Sequence, residues 1–134
     1  MIAEGEVLVR LLVAVVIGAL IGFQRESESV PAGFRTHMLI CLGSTLFTIV
    51  SIEFIGAQDP SRIAAGIVTG IGFLGAGAIF RADDKVHGLT TAADLWVLSA
   101  IGIAIGLGFF YSAIFTAVVV VIILTLKRIF SAKN

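Results

Sequence analysis

The stretch LWVLSAIGIAIGLGFFYSAIFTAVVVVIILTL, residues 95–126, contains no charged side chain and decides the fold. A straight helix of this length would extend about 48 Å at 1.5 Å per residue, whereas the hydrocarbon core of a bilayer is about 30 Å thick. The stretch therefore predicts two membrane-spanning helices with a tight turn at Gly106-Leu-Gly108. Residues 63–80 form a second uncharged stretch of spanning length.

The composition places most of the chain inside a membrane. Of its 134 residues, 58% are hydrophobic and 13% are charged, and the mean hydropathy is +1.10. The formal net charge is zero, so we expect no nucleic-acid partner. Cys41 is the single cysteine, which excludes an internal disulfide. No Cys/His spacing typical of a metal site occurs, so we expect no cofactor and leave metal binding open.

We predict an all-α membrane protein, folded as a compact bundle of five transmembrane helices, because backbone groups in hydrocarbon must be paired within the chain. The predicted helices cover residues 7–23, 36–56, 61–80, 90–106 and 109–128. They form a single transmembrane domain over residues 1–134, without a soluble C-terminal domain.

Lysine and arginine predict the orientation, because they accumulate in cytoplasmic loops. Five spans place the two ends of the chain on opposite sides of the membrane. Seven basic residues then share the side of the C-terminus: Arg25, Arg35, Arg81, Lys85, Lys127, Arg128 and Lys133. The opposite side holds Arg10 and Arg62. We therefore expect a cytoplasmic C-terminus and an external N-terminus.

Glycine is frequent, with fifteen residues, and several glycines are four residues apart. The pairs are Gly18 and Gly22, Gly66 and Gly70, and Gly102 and Gly106. In lipid, this spacing lets helix backbones approach closely. The pairs predict either packing among the five helices or a homodimer face. The third helix holds five glycines and is predicted to be central.

Polar residues near the external side form what we call the outer ring: Arg10, Glu53, Asp59 and Arg62. A bare carboxylate in a span is costly, so Glu53 is expected to pair with Arg10 or Arg62. The pairing orients helices, or else the ring is an entry site for ions. Asp59 precedes Pro60 and is also placed to cap the third helix.

We assign the functional surface to polar residues near the cytoplasmic side, the inner ring: Arg25, Glu26, Arg35, His37, Arg81, Thr90, Thr91 and Asp94. Glu28, Asp83, Asp84, Lys85 and His87 lie in the same segments. Asp94 has two interpretations. Thr91-Ala-Ala-Asp94 has the spacing of a capping box. Alternatively, Asp94 faces Arg35 or His37 across the bundle, and Arg81 converges on the same boundary.

No nucleophile occurs with a plausible base and orienting residue, so we expect no enzyme and no catalytic residue.

Five stretches, in order along the chain, carry a resemblance. They are residues 18–22 (GALIG) with Gln24-Arg25-Glu26, 32–37 (AGFRTH), 59–65 (DPSRIAA), 70–81 (GIGFLGAGAIFR) and 88–96 (GLTTAADLW). With these motifs the chain resembles the MgtC/SapB family of bacterial inner-membrane proteins, from about residue 10 to 110. Thr90 departs from the Asn of the virulence-linked members, and Asp94 stands where many members have a small or uncharged residue.

The resemblance implies a multi-pass protein of the bacterial plasma (inner) membrane that serves adaptation to magnesium limitation and, in pathogens, virulence. It implies action by binding and modulating another integral membrane protein, such as an ATP synthase or a transporter. The alternative is a transporter of Mg²⁺ or another cation. The expected partners are the lipid bilayer, a second copy of the chain and that other membrane protein.

Overall fold

The computed structural model describes residues 2–28, 30–53, 59, 61–82 and 84–131, with side chains described as far as residue 126. Five helices and one hairpin follow one another along the chain. The helices are α1 (Glu4–Glu26), α2 (Phe34–Glu53), α3 (Ser61–Gly77), α4 (Leu89–Gly106) and α5 (Phe110–Ser131). Strands β1 (Phe80–Ala82) and β2 (Lys85–His87) lie between α3 and α4.

The helices reproduce the predicted order, and three of them, α1, α2 and α4, are long and apolar enough to cross a membrane. The apolar helix α3 is shorter, and so is the described apolar part of α5, Phe110–Leu126. The long uncharged stretch is divided at the predicted turn. Gly108 has a φ of 82°, which suits glycine. The Phe109 amide donates to the Ala104 carbonyl at 2.8 Å and closes the end of α4.

The third helix ends earlier than predicted, and the second is described only as far as Glu53. The third helix was expected to continue to residue 80, but α3 ends at Gly77, because residues 80–82 pair antiparallel with residues 85–87. Asp84, in the turn of this hairpin, has a φ of 58°. The second helix was expected to reach residue 56. The structure gives α2 as far as Glu53, and residues 54–56 lie outside the described part of the chain.

The centre of the bundle is formed by α2 and α4. Helix α1 packs on α2, α2 packs on α4, and α3 and α5 pack mainly on α4. The buried core includes Ile21, Cys41, Leu98, Ile101 and Ile105. The prediction that the third helix is central is wrong, since Ile71 and Gly75 are the buried residues of α3. An apolar helix in lipid gains nothing from leaving solvent, so a high glycine content does not force it inside.

Two of the three glycine pairs hold the central helices together. A Cβ atom at Gly18 would lie 2.8 Å from the His37 carbonyl oxygen, and one at Gly102 would lie 2.7 Å from that of Cys41. Gly22 and Gly106 are equally tight, so the α1–α2 and α2–α4 contacts both rest on small residues.

Gly66 and Gly70 do not pack within the chain. No atom lies within 4 Å of a Cβ built at either position, because no described helix covers that side of α3. The prediction of internal helix packing therefore fails for this third pair.

Candidate functional site

A buried cluster of charged side chains joins α1, α2 and α4 at one end of the bundle. Arg25 Nε lies 3.1 Å from Asp94 Oδ2, and His37 Nε2 lies 3.0 Å from the same oxygen. All three side chains are almost fully buried. The guanidinium supplies the opposite charge that a buried carboxylate needs, and an ion pair in this position fixes three helices relative to one another.

Both ring nitrogens of His37 lie within hydrogen-bond distance of an oxygen atom. His37 Nδ1 lies 2.8 Å from the Gly33 carbonyl oxygen, and Nε2 lies 3.0 Å from Asp94 Oδ2. The imidazole therefore connects the backbone just before α2 with the carboxyl group on α4.

Two more side chains complete the buried charge cluster. Arg25 Nη1 donates to Glu28 Oε2 at 2.6 Å, one helical turn along the chain. Arg25 Nη2 donates to the Thr91 hydroxyl at 3.0 Å. Two acidic and two basic side chains thus share the interior with one hydroxyl. Groups of opposite charge thus lie next to one another, which is what burial in a medium of low dielectric constant requires.

The cluster leaves two carboxylate oxygens without a partner. Asp94 Oδ1 and Glu28 Oε1 are buried and accept no hydrogen bond from the described residues. Buried polar atoms of this kind are uncommon and mark a place where water or another small donor would be stabilised. Among the described residues, no group of three or more His, Cys, Asp or Glu side chains is arranged to hold a metal ion.

The capping interpretation of Asp94 is wrong. Helix α4 begins at Leu89, and its N-cap is Gly88, which has no side chain, so no side chain caps the helix start. Thr91 therefore lies inside the first turn, and its hydroxyl accepts from Arg25. The alternative, in which Asp94 faces another helix, agrees with the structure for His37.

The other predicted inner-ring residues lie apart from Asp94. Arg35 is exposed, because it is two residues from His37 and so faces away from the bundle. Arg81 pairs with Asp84 in the hairpin at 3.0 Å. Thr90 is exposed, next to buried Thr91. Glu26 accepts from the Phe34 amide at 2.9 Å, which caps the start of α2. Arg35 and Arg81 were expected to converge on Asp94, and the structure corrects both expectations.

The outer ring is also rearranged. Arg10 donates to the Gly106 carbonyl at 2.5 Å and forms an ion pair with Glu6, so it ties α1 to the end of α4 instead of pairing with Glu53. Glu53 Oε1 accepts from the Ile2 amide at 2.8 Å.

Asp59 has the capping role expected of it. Its Oδ1 accepts from the Ser61 amide at 3.0 Å, at the start of α3. The hydrogen bonds from Ser61 hold the pKa of Asp59 below its usual value, and the charge of Arg62 acts in the same direction. Pro60 lies outside the described residues.

Comparison with known proteins identifies the family. The family model described as the MgtC family matches residues 11–133. The chain belongs to the MgtC family. The match includes Arg25, His37, Thr91 and Asp94, so the buried charge cluster lies within the family domain.

One of the relatives in the MgtC family carries a name that refers to magnesium. The chain is 44% identical over 128 residues to "Putative magnesium transporter YhiD" of Escherichia coli (strain K12), covering 89% of this chain and 59% of the relative. It is 42% identical over 115 residues to "Protein MgtC" of Brucella abortus (strain 2308), covering 86% and 48%. It is 43% identical over 113 residues to "Protein MgtC" of Salmonella typhimurium, covering 84% and 48%.

The chain thus spans about half the length of the MgtC-family relatives that it matches. No solved structure matches it.

Sequence reasoning about this MgtC-family chain predicted His37 as a partner of Asp94 but missed the second partner, Arg25, and the part played by Glu28. A signal for Arg25 was present, because Gly18, Gly22 and Arg25 follow one another at helical spacing of four and three residues. Arg25 therefore lies on the same face of α1 as the glycines that pack on α2. Glu28 follows Arg25 by three residues, which is a favourable spacing for an ion pair.

Proposed function

We propose that this chain is an inner-membrane protein of adaptation to magnesium limitation, and that it acts by binding and modulating another integral membrane protein. Membership of the MgtC family and the magnesium-related name of one relative support the first part. The second part rests on the contact between α2 and α4, which is the observation that carries the proposal.

Helix α2 carries a buried line of polar side chains between the two rings, formed by His37, Ser44, Thr45, Thr48 and Ser51. Such a line would be the natural path for an ion. Here it is closed by α4. A Cβ atom at Gly102 would lie 2.6 Å from Ser44 Cβ, and one at Gly106 would lie 2.5 Å from Thr48 Cβ. The Thr45 hydroxyl donates to the Gly102 carbonyl at 2.9 Å.

A methyl group at Gly102 or Gly106 would already overlap with α2, and the hydroxyl groups of Thr45 and Thr48 donate to backbone carbonyls. Conduction needs a path of polar groups or water through the apolar layer. The packing therefore favours a bundle that works through its lipid-facing surface. That surface is broad and apolar, and it includes exposed side chains such as Leu20, Phe23, Phe73 and Phe115.

The second candidate is a transporter of Mg²⁺ or another cation. The line of α2 hydroxyls that joins the two rings favours it, as does the printed name of the Escherichia coli relative. It requires α2 and α4 to separate during transport.

Flux measurement separates the two candidates. We expect that purified protein in liposomes loaded with a fluorescent Mg²⁺ indicator will give no Mg²⁺ entry above that of protein-free liposomes, because α2 and α4 are in contact along the polar line. The same protein should support growth at limiting Mg²⁺ in a bacterial host from which its own relative has been deleted. Growth support without flux agrees with binding, whereas Mg²⁺ entry clearly above that of protein-free liposomes would establish transport instead.

The orientation is a further prediction, motivated by the seven basic residues on one side. A fluorescent protein fused after Asn134 should fluoresce in bacterial cells, and alkaline phosphatase at the same position should be inactive. The reciprocal fusions before Met1, with the phosphatase on an exported carrier, serve as the matched control. Active phosphatase after Asn134 would invert the orientation.

A further inference from the structure

One face of α3 is not covered by the described part of the chain and is made largely of glycine. Four residues of α3 at intervals of four, three and four positions form a single stripe along the helix: Gly66, Gly70, Phe73 and Gly77. No atom lies within 4 Å of a Cβ built at any of the three glycines, and Phe73 is 82% exposed. The stripe lies about half a turn from Ile71 and Gly75, which pack on α4, so it points away from the bundle.

A groove of about 700 Å³ runs beside this stripe, between α2 and α3. Its α3 wall includes Arg62, Gly66 and Gly70, and its α2 wall includes Gly43 and Ser44. From residue 62 to residue 74 the groove extends about 18 Å, more than half the thickness of the hydrocarbon core.

Ser44 gives the α2 wall of the groove a hydroxyl group, and the residue itself is 5% exposed. The rest of the lining consists largely of aliphatic side chains and glycine, such as Leu39, Ile67 and Leu74. An occupant of the groove would therefore contact it mainly through apolar atoms.

We propose that a second copy of this chain covers the face, with α3 packed against α3 across a two-fold axis normal to the membrane. The stripe is complementary to itself in shape. Two copies inserted in the same orientation have parallel α3 helices, so Phe73 of one copy meets the space left by Gly70 and Gly77 of the other. The other two glycine pairs of this chain each make a close helix contact, and this face offers the same kind of contact.

The charges at the start of α3 complement one another in this dimer. Asp59 and Arg62 are three residues apart and lie at the end of the stripe. Arg62 makes no ion pair within 4.0 Å among the described residues, although its charge acts on Asp59. In a symmetric pair of parallel helices, Arg62 of each copy faces Asp59 of the other, which gives two ion pairs across the axis. This inference does not depend on the proposed function.

Cysteine cross-linking in native membranes tests the dimer. Phe73→Cys should give a disulfide-linked band of twice the 14.0 kDa monomer mass on mild oxidation. Phe115→Cys is the matched control, because Phe115 is 71% exposed on α5 and outside the stripe. Both variants keep Cys41, which is fully buried. Introducing Gly70→Leu into the Phe73→Cys chain should abolish the band without loss of thermal stability, because a Cβ atom at this position has no atom of its own chain within 4 Å and leucine favours the helix more than glycine does.

Two results would overturn the dimer. Equal cross-linking of Phe73→Cys and Phe115→Cys would show random collision in the membrane. Cross-linking that survives Gly70→Leu would show that the stripe is not the contact. A cross-linked band that contains a different protein in place of the second copy would assign the face to that partner.

Discussion

Asp94→Asn is expected to destabilise the folded bundle by about 3–5 kcal/mol, since it leaves Arg25 buried with one of its two carboxylate partners removed. The amide is the same size as the carboxylate, so the loss reflects charge and not volume. Thermal unfolding of the detergent-solubilised protein measures it. A double variant with Arg25→Gln should lose less than the sum of the two single losses, because each removes the same ion pair.

Asp84→Asn provides a control with the same chemistry. Asp84 also lies 3.0 Å from an arginine, Arg81, but these side chains are 96% and 72% exposed. Exposed pairs contribute about 0–1 kcal/mol, and asparagine tolerates the positive φ of residue 84 as aspartate does. We expect almost no change in its unfolding temperature. If the two substitutions cost equal amounts, the buried charge cluster is not what stabilises the three-helix junction.

Gly102→Leu is expected to prevent the bundle from closing, so that little folded protein accumulates in the membrane. A Cβ atom at this position already lies 2.7 Å from the Cys41 carbonyl oxygen, and backbone cannot move aside as a flexible side chain can. The smaller change Gly102→Ala should cost about 1–3 kcal/mol, the usual range for overpacking.

Gly72→Ala is the matched control for Gly102→Ala. No atom lies within 4 Å of a Cβ atom at Gly72, so the substitution should be neutral or stabilising by up to about 1 kcal/mol, through the better helix propensity of alanine. The measurements are the yield of folded protein from membranes and its unfolding temperature. A loss at Gly72 as large as the loss at Gly102 would contradict the assignment of close contacts.

The sequence was sufficient for the helices because each depends on local information. The uncharged stretch was too long for one span, and Gly108 supplied the turn that divides it. The sequence was also sufficient to select Asp94 as the central polar residue, because a carboxylate one turn into an apolar helix needs a partner.

The arginine partner of Asp94 could not be predicted, because it depends on the rotation of helices about their own axes. Arg25 lies at the end of α1 and Arg35 at the start of α2, and only Arg25 lies on a face that packs inside the bundle. The place of α3 could not be predicted either. A glycine-rich apolar helix is equally compatible with a central position and with a peripheral position in which one face packs on another protein. In lipid, the free energy of leaving water does not distinguish the two positions.

The buried charge cluster has a consequence for biogenesis. Its side chains come from helices that leave the ribosome at different times, since Arg25 and His37 precede Asp94 by more than fifty residues. Until α4 is inserted, the α1–α2 hairpin carries two basic groups with Glu28 as their acidic neighbour. Burying these groups before α4 is in place would leave Arg25 without the carboxylate of Asp94, which is unfavourable in a medium of low dielectric constant. The α1–α2 contact is therefore completed only when α4 supplies Asp94.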